Sequence, residues 1–246
     1  MSKYLSVGTA FALLAISSLA AGADTGYKGF SQPTTGYEVG IERQVELVSD
    51  NKVVQRTFGR LQRTYDWEIY KDTRGSTVDV EVKAGVILGQ YKGSLALSDG
   101  YGSFTEVRGG VNVKALGLYT FNANKVDPFI GASVEYEFMS RPRTEWQADA
   151  VAGLKLNITN NKDLSVRYSH VLAHGMEYHN KIGAIRQDDG YAVALIGTKR
   201  NADNTSHSLT LEYERFDKGD MYSKDGKAIA YEPDTDNWLL SYKKTF

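Results

Sequence analysis

From residue 37 onward, apolar and polar residues alternate with a period of two over long stretches, and that period places successive side chains on opposite faces of a β-strand. Tyr37, Val39, Ile41, Val45 and Leu47 alternate with Glu38, Gly40, Glu42, Gln44 and Glu46, and Arg43 breaks the apolar series. A second strand sets Leu61, Tyr65, Trp67 and Ile69 against Gln62, Thr64, Asp66 and Glu68. A third sets Val78, Val80, Val82, Ala84, Val86 and Leu88 against Asp79, Glu81, Lys83 and Gly85. The fourth carries Val107, Val111, Val113, Ala115, Tyr119 and Phe121 opposite Arg108, Gly110, Asn112 and Lys114. The fifth sets Ile130, Ala132, Val134, Tyr136 and Phe138 against Gly131, Ser133, Glu135 and Glu137. The sixth, from Trp146 to Ile158, turns Gln147, Asp149, Gly153, Lys155 and Asn157 to its polar face. The seventh opposes Leu164, Val166, Tyr168 and Leu172 to Ser165, Arg167 and Ser169, and three more strands follow near 191–199, 207–216 and 237–246.

Short polar connections near 71–76, 122–127, 159–163 and 200–205 alternate with connections near 48–60, 89–103, 139–143, 175–190 and 217–236. Four short turns and five loops join ten strands and leave both termini at the short-turn end. Transmembrane barrels keep short turns on the periplasmic side and longer loops outside, with an even strand count. Eight strands is the alternative, reached if the first hairpin or the eighth strand is misread. Residues 24–246 contain no apolar run near 18 residues, so no helix of this chain can span a bilayer. A closed barrel is the other way to satisfy backbone groups in hydrocarbon. The expected fold is therefore all-β, a closed antiparallel up-and-down transmembrane β-barrel forming one domain over 24–246, with periplasmic termini.

Composition agrees: Tyr 16, Phe 9, Trp 3 and Gly 24 against Pro 4 favour strands and tight turns. A mean hydropathy of −0.39 is no objection, because only every second barrel residue faces lipid. At the N-terminus, Lys3 precedes an apolar run from Val7 to Ala21 that ends in Ala21-Gly22-Ala23. Residues 1–23 therefore read as a secretory signal peptide, the run being too short and too interrupted by Gly8, Thr9, Ser17 and Ser18 for an anchor. The chain has no cysteine, which excludes disulfides, and its 29 basic and 30 acidic residues give no field suited to nucleic acid.

In the last strand Trp238, Leu240, Tyr242 and Phe246 fall at alternate positions around Lys244, and the chain stops on Phe246. This resembles the closing strand of bacterial outer-membrane β-barrel proteins. In that family a terminal strand ending in Phe is read by the barrel-assembly machinery, so the resemblance implies that role for these four residues. It also implies a place in the cell outer membrane, among its lipid and lipopolysaccharide. The stretch Asp127-Pro128-Phe129-Ile130-Gly131-Ala132, and Gly153 to Tyr168 with its Thr159-Asn160-Asn161 turn, resemble the small opacity-type and OmpA-like barrels. This likeness is one of pattern over most of the chain; it carries a fold and a location but no active site.

The same parity turns many charges inward. Glu38, Glu42, Glu46, Asp66, Glu68, Asp79, Glu81, Glu135, Glu137, Asp149, Glu212 and Glu214 would share the lumen with Lys83, Arg108, Lys114, Lys155, Arg167 and Lys243. A ten-stranded bore is close to the width that side chains fill, so a salt-bridged plug and a narrow wet pore are both open readings. The functional expectation is a non-enzymatic surface barrel serving envelope integrity or surface interaction. The alternatives are a small cation-preferring channel and an outer-membrane lipid or peptide hydrolase. Ser169-His170-Val171-Leu172-Ala173 departs from the His-x-Ser-Asn run of lipid A deacylases where the nucleophile should stand, and no histidine has an Asp at omptin spacing. His170, His174 and His179 cluster where the seventh strand enters a loop, but without an evident acidic or Cys partner they read as solvated histidines. Asp220, Asp225, Asp234 and Asp236 lack the ligand spacing of a calcium loop. No catalytic residue, metal or cofactor is expected, and a monomer is the default.

Two finer expectations concern the faces. Arg43 and Arg63 interrupt the apolar face of the first hairpin, and both are expected at the outer interface near lipopolysaccharide phosphates. Val113 is assigned to lipid and Asn112 to the lumen, so an Arg at 113 should cost more than an Arg at 112.

Overall fold

Strands with one apolar and one charged face leave unpaired backbone groups at both edges unless the sheet closes on itself. Here it closes. The computed structural model describes residues 30, 32–48, 52–97, 100–140, 143–178, 183–187, 190–217, 219–222, 228–232 and 234–246. Residues 1–23, His179 and Asp225 lie outside that set, as do the side chains of Glu46 and Asp220.

Among the described residues all strands belong to one sheet. They are β1 (Thr34–Val48), β2 (Lys52–Lys71), β3 (Thr77–Leu97), β4 (Gly100–Thr120), β5 (Val126–Met139), β6 (Arg143–Thr159) and β7 (Lys162–Tyr178). After these come β8 (Gly183–Gln187), β9 (Gly190–Arg200), β10 (Ser206–Phe216), β11 (Gly219–Tyr222), β12 (Ala228–Glu232) and β13 (Thr235–Thr245). Ten of them form an antiparallel ring in the order β1 to β7, β9, β10 and β13. The ring closes where β1 pairs with β13, from Gly36↔Thr245 to Glu46↔Thr235.

The expected short turns are tight for a local reason. Gly75, Asn124 and Asn204 take positive φ values of 87°, 74° and 64° at three of them. Aspartates brace the same turns, with Asp72 Oδ1 accepting from Ser76 N at 2.7 Å and Asp127 Oδ1 from Ala123 N at 2.9 Å.

The other end departs from expectation. Four of the connections read as loops are largely strand: β1 runs to Val48 and β2 starts at Lys52, while β3 reaches Leu97 and β4 starts at Gly100. Within 175–190 and 217–236 the chain forms β8, β11 and β12. Pairing between β7 and β9 stops at His170↔Tyr191, so the edge of β7 beyond it is open, and β8 takes it from His174 to Tyr178. β11 pairs with β8 and β12 with β11, which makes a small flap at the loop end.

Two bulges also shift faces. Ile69, expected on the lipid side with Trp67, sits at a β2 bulge and is only 2% exposed; Val78 beside it is buried as well. A second irregularity, where Ala148 pairs with Ala173 but Asp149 with Val171, adds a residue to β7 at Leu172. Leu172 stays exposed, and two residues on His174 enters the interior.

Candidate functional site

The outside of the ring is apolar and the inside is ionic. Val39, Ile41, Leu61, Val86, Val111 and Val113 are exposed on β1 to β4, as are Leu195, Leu209, Leu211 and Leu240 on β9, β10 and β13. Aromatic pairs border this belt at both ends. Tyr37 meets Phe246 and Tyr119 meets Phe121 toward the turns, while Tyr191, Tyr213 and Trp238 meet toward the loops. A continuous apolar band between aromatic girdles is a surface made for hydrocarbon. No helix among the described residues is long and apolar enough to cross a membrane.

Arg43 and Arg63 lie near opposite borders of this belt rather than together. Arg43 is paired with Trp238 toward the loops. Arg63 is opposite Tyr37 toward the turns, its guanidinium carbon 4.5 Å from the Tyr37 ring centre. The sequence places both on one apolar face but says nothing of height: six residues of β1, roughly 20 Å at about 3.3 Å each, separate the two levels.

Inside, Arg60 is the central group. Its guanidinium reaches Glu42 on β1, Glu135 Oε1 at 2.9 Å and Glu137 Oε2 at 3.6 Å on β5. Lys114 Nζ of β4 holds the other oxygen of Glu135 at 2.9 Å. Glu42 also accepts from Asn237 Nδ2 at 2.9 Å, and Asn237 donates to Glu214 at 3.3 Å. Gln147 continues the chain of contacts to Glu214 at 2.9 Å and Asp149 at 2.8 Å, and Ser133 Oγ donates to Asp149 at 2.6 Å. The network thus joins β1, β2, β4, β5, β6, β10 and β13 across the bore.

Nearer the turns a second cluster forms. Lys83 Nζ is 2.5 Å from Glu38 and 3.3 Å from Glu81, while Lys243 meets Asp66 at 2.8 Å and also reaches Glu81. Arg167 pairs with Glu212, and at the rim Lys155 meets Asp127 at 3.4 Å. Glu68 and Asp79 line the open space beside these pairs, and Arg108 is half-buried farther toward the loops on β4.

Open space in the lumen lies on both sides of the Arg60 groups. A cavity of about 620 Å³ extends from Thr77, Thr120 and Ser206 at the turn end up to Arg60. A second space of only about 50 Å³ lies beyond, under Phe58 and Phe216. Glu42, Arg60, Glu135, Glu214 and Asn237 border both and form a polar layer between them. Above it Phe58 packs with Ile87 and Met139, and Phe216 stacks on His174 with ring centres 4.5 Å apart. Nine carboxylate residues and seven cationic ones line the larger cavity, so its formal balance is acidic.

The histidines separate. His170 is exposed on the outer face, whereas His174 is 2% exposed inside, its Nε2 3.0 Å from Glu145 Oε1. The reading of His174 as a solvated loop residue is thus corrected, and Glu145 is an acidic partner that the sequence reading did not assign. Ser169 and His170 project to opposite faces of β7.

The alternation read from sequence begins the second strand at Leu61 and so omits Arg60 and Arg56. The signal was there: stepping back by twos from Gln62 reaches Arg60, Phe58 and Arg56. Phe58 hides it, being a buried apolar residue on an otherwise polar face.

No family model matches the chain, and no curated protein matches it. Among solved structures, an outer-membrane channel from Pseudomonas putida F1 is 14% identical, with a TM-score of 0.44 over 91% of this chain and 99% of that one. OmpT, an outer-membrane protein of Vibrio cholerae, is 8% identical with a TM-score of 0.28, covering 89% of this chain and 99% of its own. The CymD monoaromatic hydrocarbon channel is 8% identical with a TM-score of 0.31, covering 88% and 89%.

Proposed function

We propose that this chain is an outer-membrane surface barrel whose lumen is closed by the Arg60 partition, serving envelope integrity or surface interaction. The observation that carries the reading is the drop in lumen space from about 620 Å³ to about 50 Å³ across five interlocked polar residues. Its termini lie on the periplasmic side, its partners are outer-membrane lipid, lipopolysaccharide and the assembly machinery, and it works as a monomer without a catalytic site. The likeness to the opacity-type and OmpA-like group belongs to this reading. Liposomes carrying the barrel should not swell in a pentose or in any larger sugar; swelling in either overturns the proposal.

The second reading, a small cation-preferring channel, is favoured by the surplus of carboxylates along the larger cavity. Any current that leaks through should reverse at a potential set by cations, and replacing Glu135 by Gln together with Asp149 by Asn should weaken that preference. Anion selectivity in the wild type contradicts it.

The last strand supplies a further expectation. Phe246 is 53% exposed, docks its backbone N on Thr35 O at 2.8 Å and carries Lys244 Nζ 4.9 Å from its ring centre. It faces outward with Trp238, Leu240 and Tyr242, which supports the proposed role of these residues in recognition by the assembly machinery. Deleting Phe246 should leave exported but poorly assembled protein, read as loss of the compact band on unheated gel electrophoresis. Assembly at wild-type efficiency would sink that role.

A further inference from the structure

One outward row near the turn end is basic. Lys162 of β7 is paired with Lys199 of β9, Lys199 with His207 of β10, and His207 with Lys244 of β13. Adjacent strands are about 4.8 Å apart, so these four residues form an unbroken ladder on the barrel wall. Lys162 and Lys199 are exposed. The other two are engaged, His207 Nδ1 lying 2.5 Å from Tyr242 Oη and Lys244 lying over Phe246. The acid next in sequence, Asp163, is turned into the barrel and held by Arg200 at 2.6 Å, so it does not neutralise the row.

The next row toward the loops is apolar and has a notch. Leu164, Gly197, Leu209 and Tyr242 are paired in that order across the same four strands. A Cβ at Gly197 would find nothing within 4 Å. The gap belongs to a groove of about 310 Å³ on the outer wall, whose apolar sides include Ile158, Leu164 and Leu209 and whose mouth carries Lys162, Lys199 and His207.

A notch walled by aliphatic side chains fits an acyl chain, and two exposed ammonium groups at its mouth fit an anionic phosphate. We infer that this groove is a binding site for one anionic phospholipid of the leaflet at the turn end. An acyl chain lies over Gly197, and the headgroup phosphate sits between Lys162 and Lys199. The inference rests on the membrane-barrel reading above. That reading also selects the source, because the turn end is the periplasmic side, where the leaflet is phospholipid rather than lipopolysaccharide.

The test is native mass spectrometry of the full barrel released from detergent micelles containing phosphatidylglycerol and phosphatidylcholine in equal amounts. Wild type should retain one phosphatidylglycerol, favoured over phosphatidylcholine by about thirtyfold, since two lysines near a membrane surface at about 1 kcal/mol each toward anionic lipid make about 2 kcal/mol. Lys162→Gln with Lys199→Gln should bring the two lipids to parity. Gly197→Leu, which adds bulk only where there is open space, should remove retained lipid altogether. Equal retention of both lipids by wild type, or unchanged selectivity in the double variant, overturns the site, as does displacement of the retained phosphatidylglycerol by an equal amount of added lipopolysaccharide. Each variant is first checked for the compact unheated band and for insertion into vesicles. Wild type that inserts without selecting a lipid refutes this site alone; wild type that fails to insert refutes the membrane reading.

Discussion

Replacing Arg60 by alanine should cost the folded barrel about 3–5 kcal/mol in urea unfolding from lipid vesicles, the range for breaking a buried ion pair by removing one partner. The size follows from what is left behind. Glu42, Glu135 and Glu137 converge on this guanidinium; with it gone Glu135 keeps Lys114 and Asn112, and Glu42 keeps Asn237, but the charge that joined all three is lost. Desolvated carboxylates that lose a cation are costly, so the loss exceeds that of an exposed ion pair. Arg60→Lys keeps the charge but not the fork that reaches β1 and β5 together, so it should recover part of the loss. Combining Arg60→Ala with Glu135→Gln should cost less than the sum of the two changes, by about 0.5–3 kcal/mol, because the second removes the charge that the first strands. Additive losses would mean that Arg60 and Glu135 are neighbours without coupling.

Leu211→Arg should cost about 2–4 kcal/mol in the same unfolding series, and Thr210→Arg, one residue away, clearly less. Leu211 is 47% exposed between Leu195 and Leu240, both of them exposed and apolar, so an arginine there meets hydrocarbon on every side. Thr210 borders the larger cavity, where carboxylates outnumber cations and there is room for the longer side chain. Equal costs would mean that the two faces are exchanged. The inner position beside Val113 is already filled. Asn112 is fully buried and lies 3.4 Å from Glu135 in the partition, so an arginine there would be overpacked and would crowd Lys114 and Arg60. The smaller cost that the sequence suggested for Asn112→Arg therefore does not follow.

Parity made the barrel legible wherever a strand kept polar residues inside and apolar residues outside. The ten segments from Tyr37 to Phe246, the four short turns and the ring order all follow from that alternation and from loop lengths. It failed where the physics of the inner face changed. Phe58 and Ile87 are apolar residues turned inward near the loops, so the alternation breaks there although β2 and β3 extend beyond them. The bulges at Ile69 and Leu172 were illegible for another reason, since each depends on the register of a partner strand and not on the segment itself. Lumen charges were assignable to a face by counting in twos, but which acid meets which base was not. Arg60 and Glu42 are 18 residues apart in sequence and meet across the first hairpin, whereas Lys243 and Asp66 are 177 apart and only ring closure brings them together. The notch at Gly197 was invisible for the same reason, because it is framed by residues from neighbouring strands.

Single-barrel recordings in planar bilayers test the closed lumen most directly. Wild-type barrels inserted into a bilayer should show no steady conductance step, whereas Arg60→Ala barrels should show a small cation-selective one, because the variant joins the two lumen spaces along a wall richer in carboxylates. A steady wild-type step that is unchanged in Arg60→Ala would contradict the account, since ions would then pass by a route that the partition does not control.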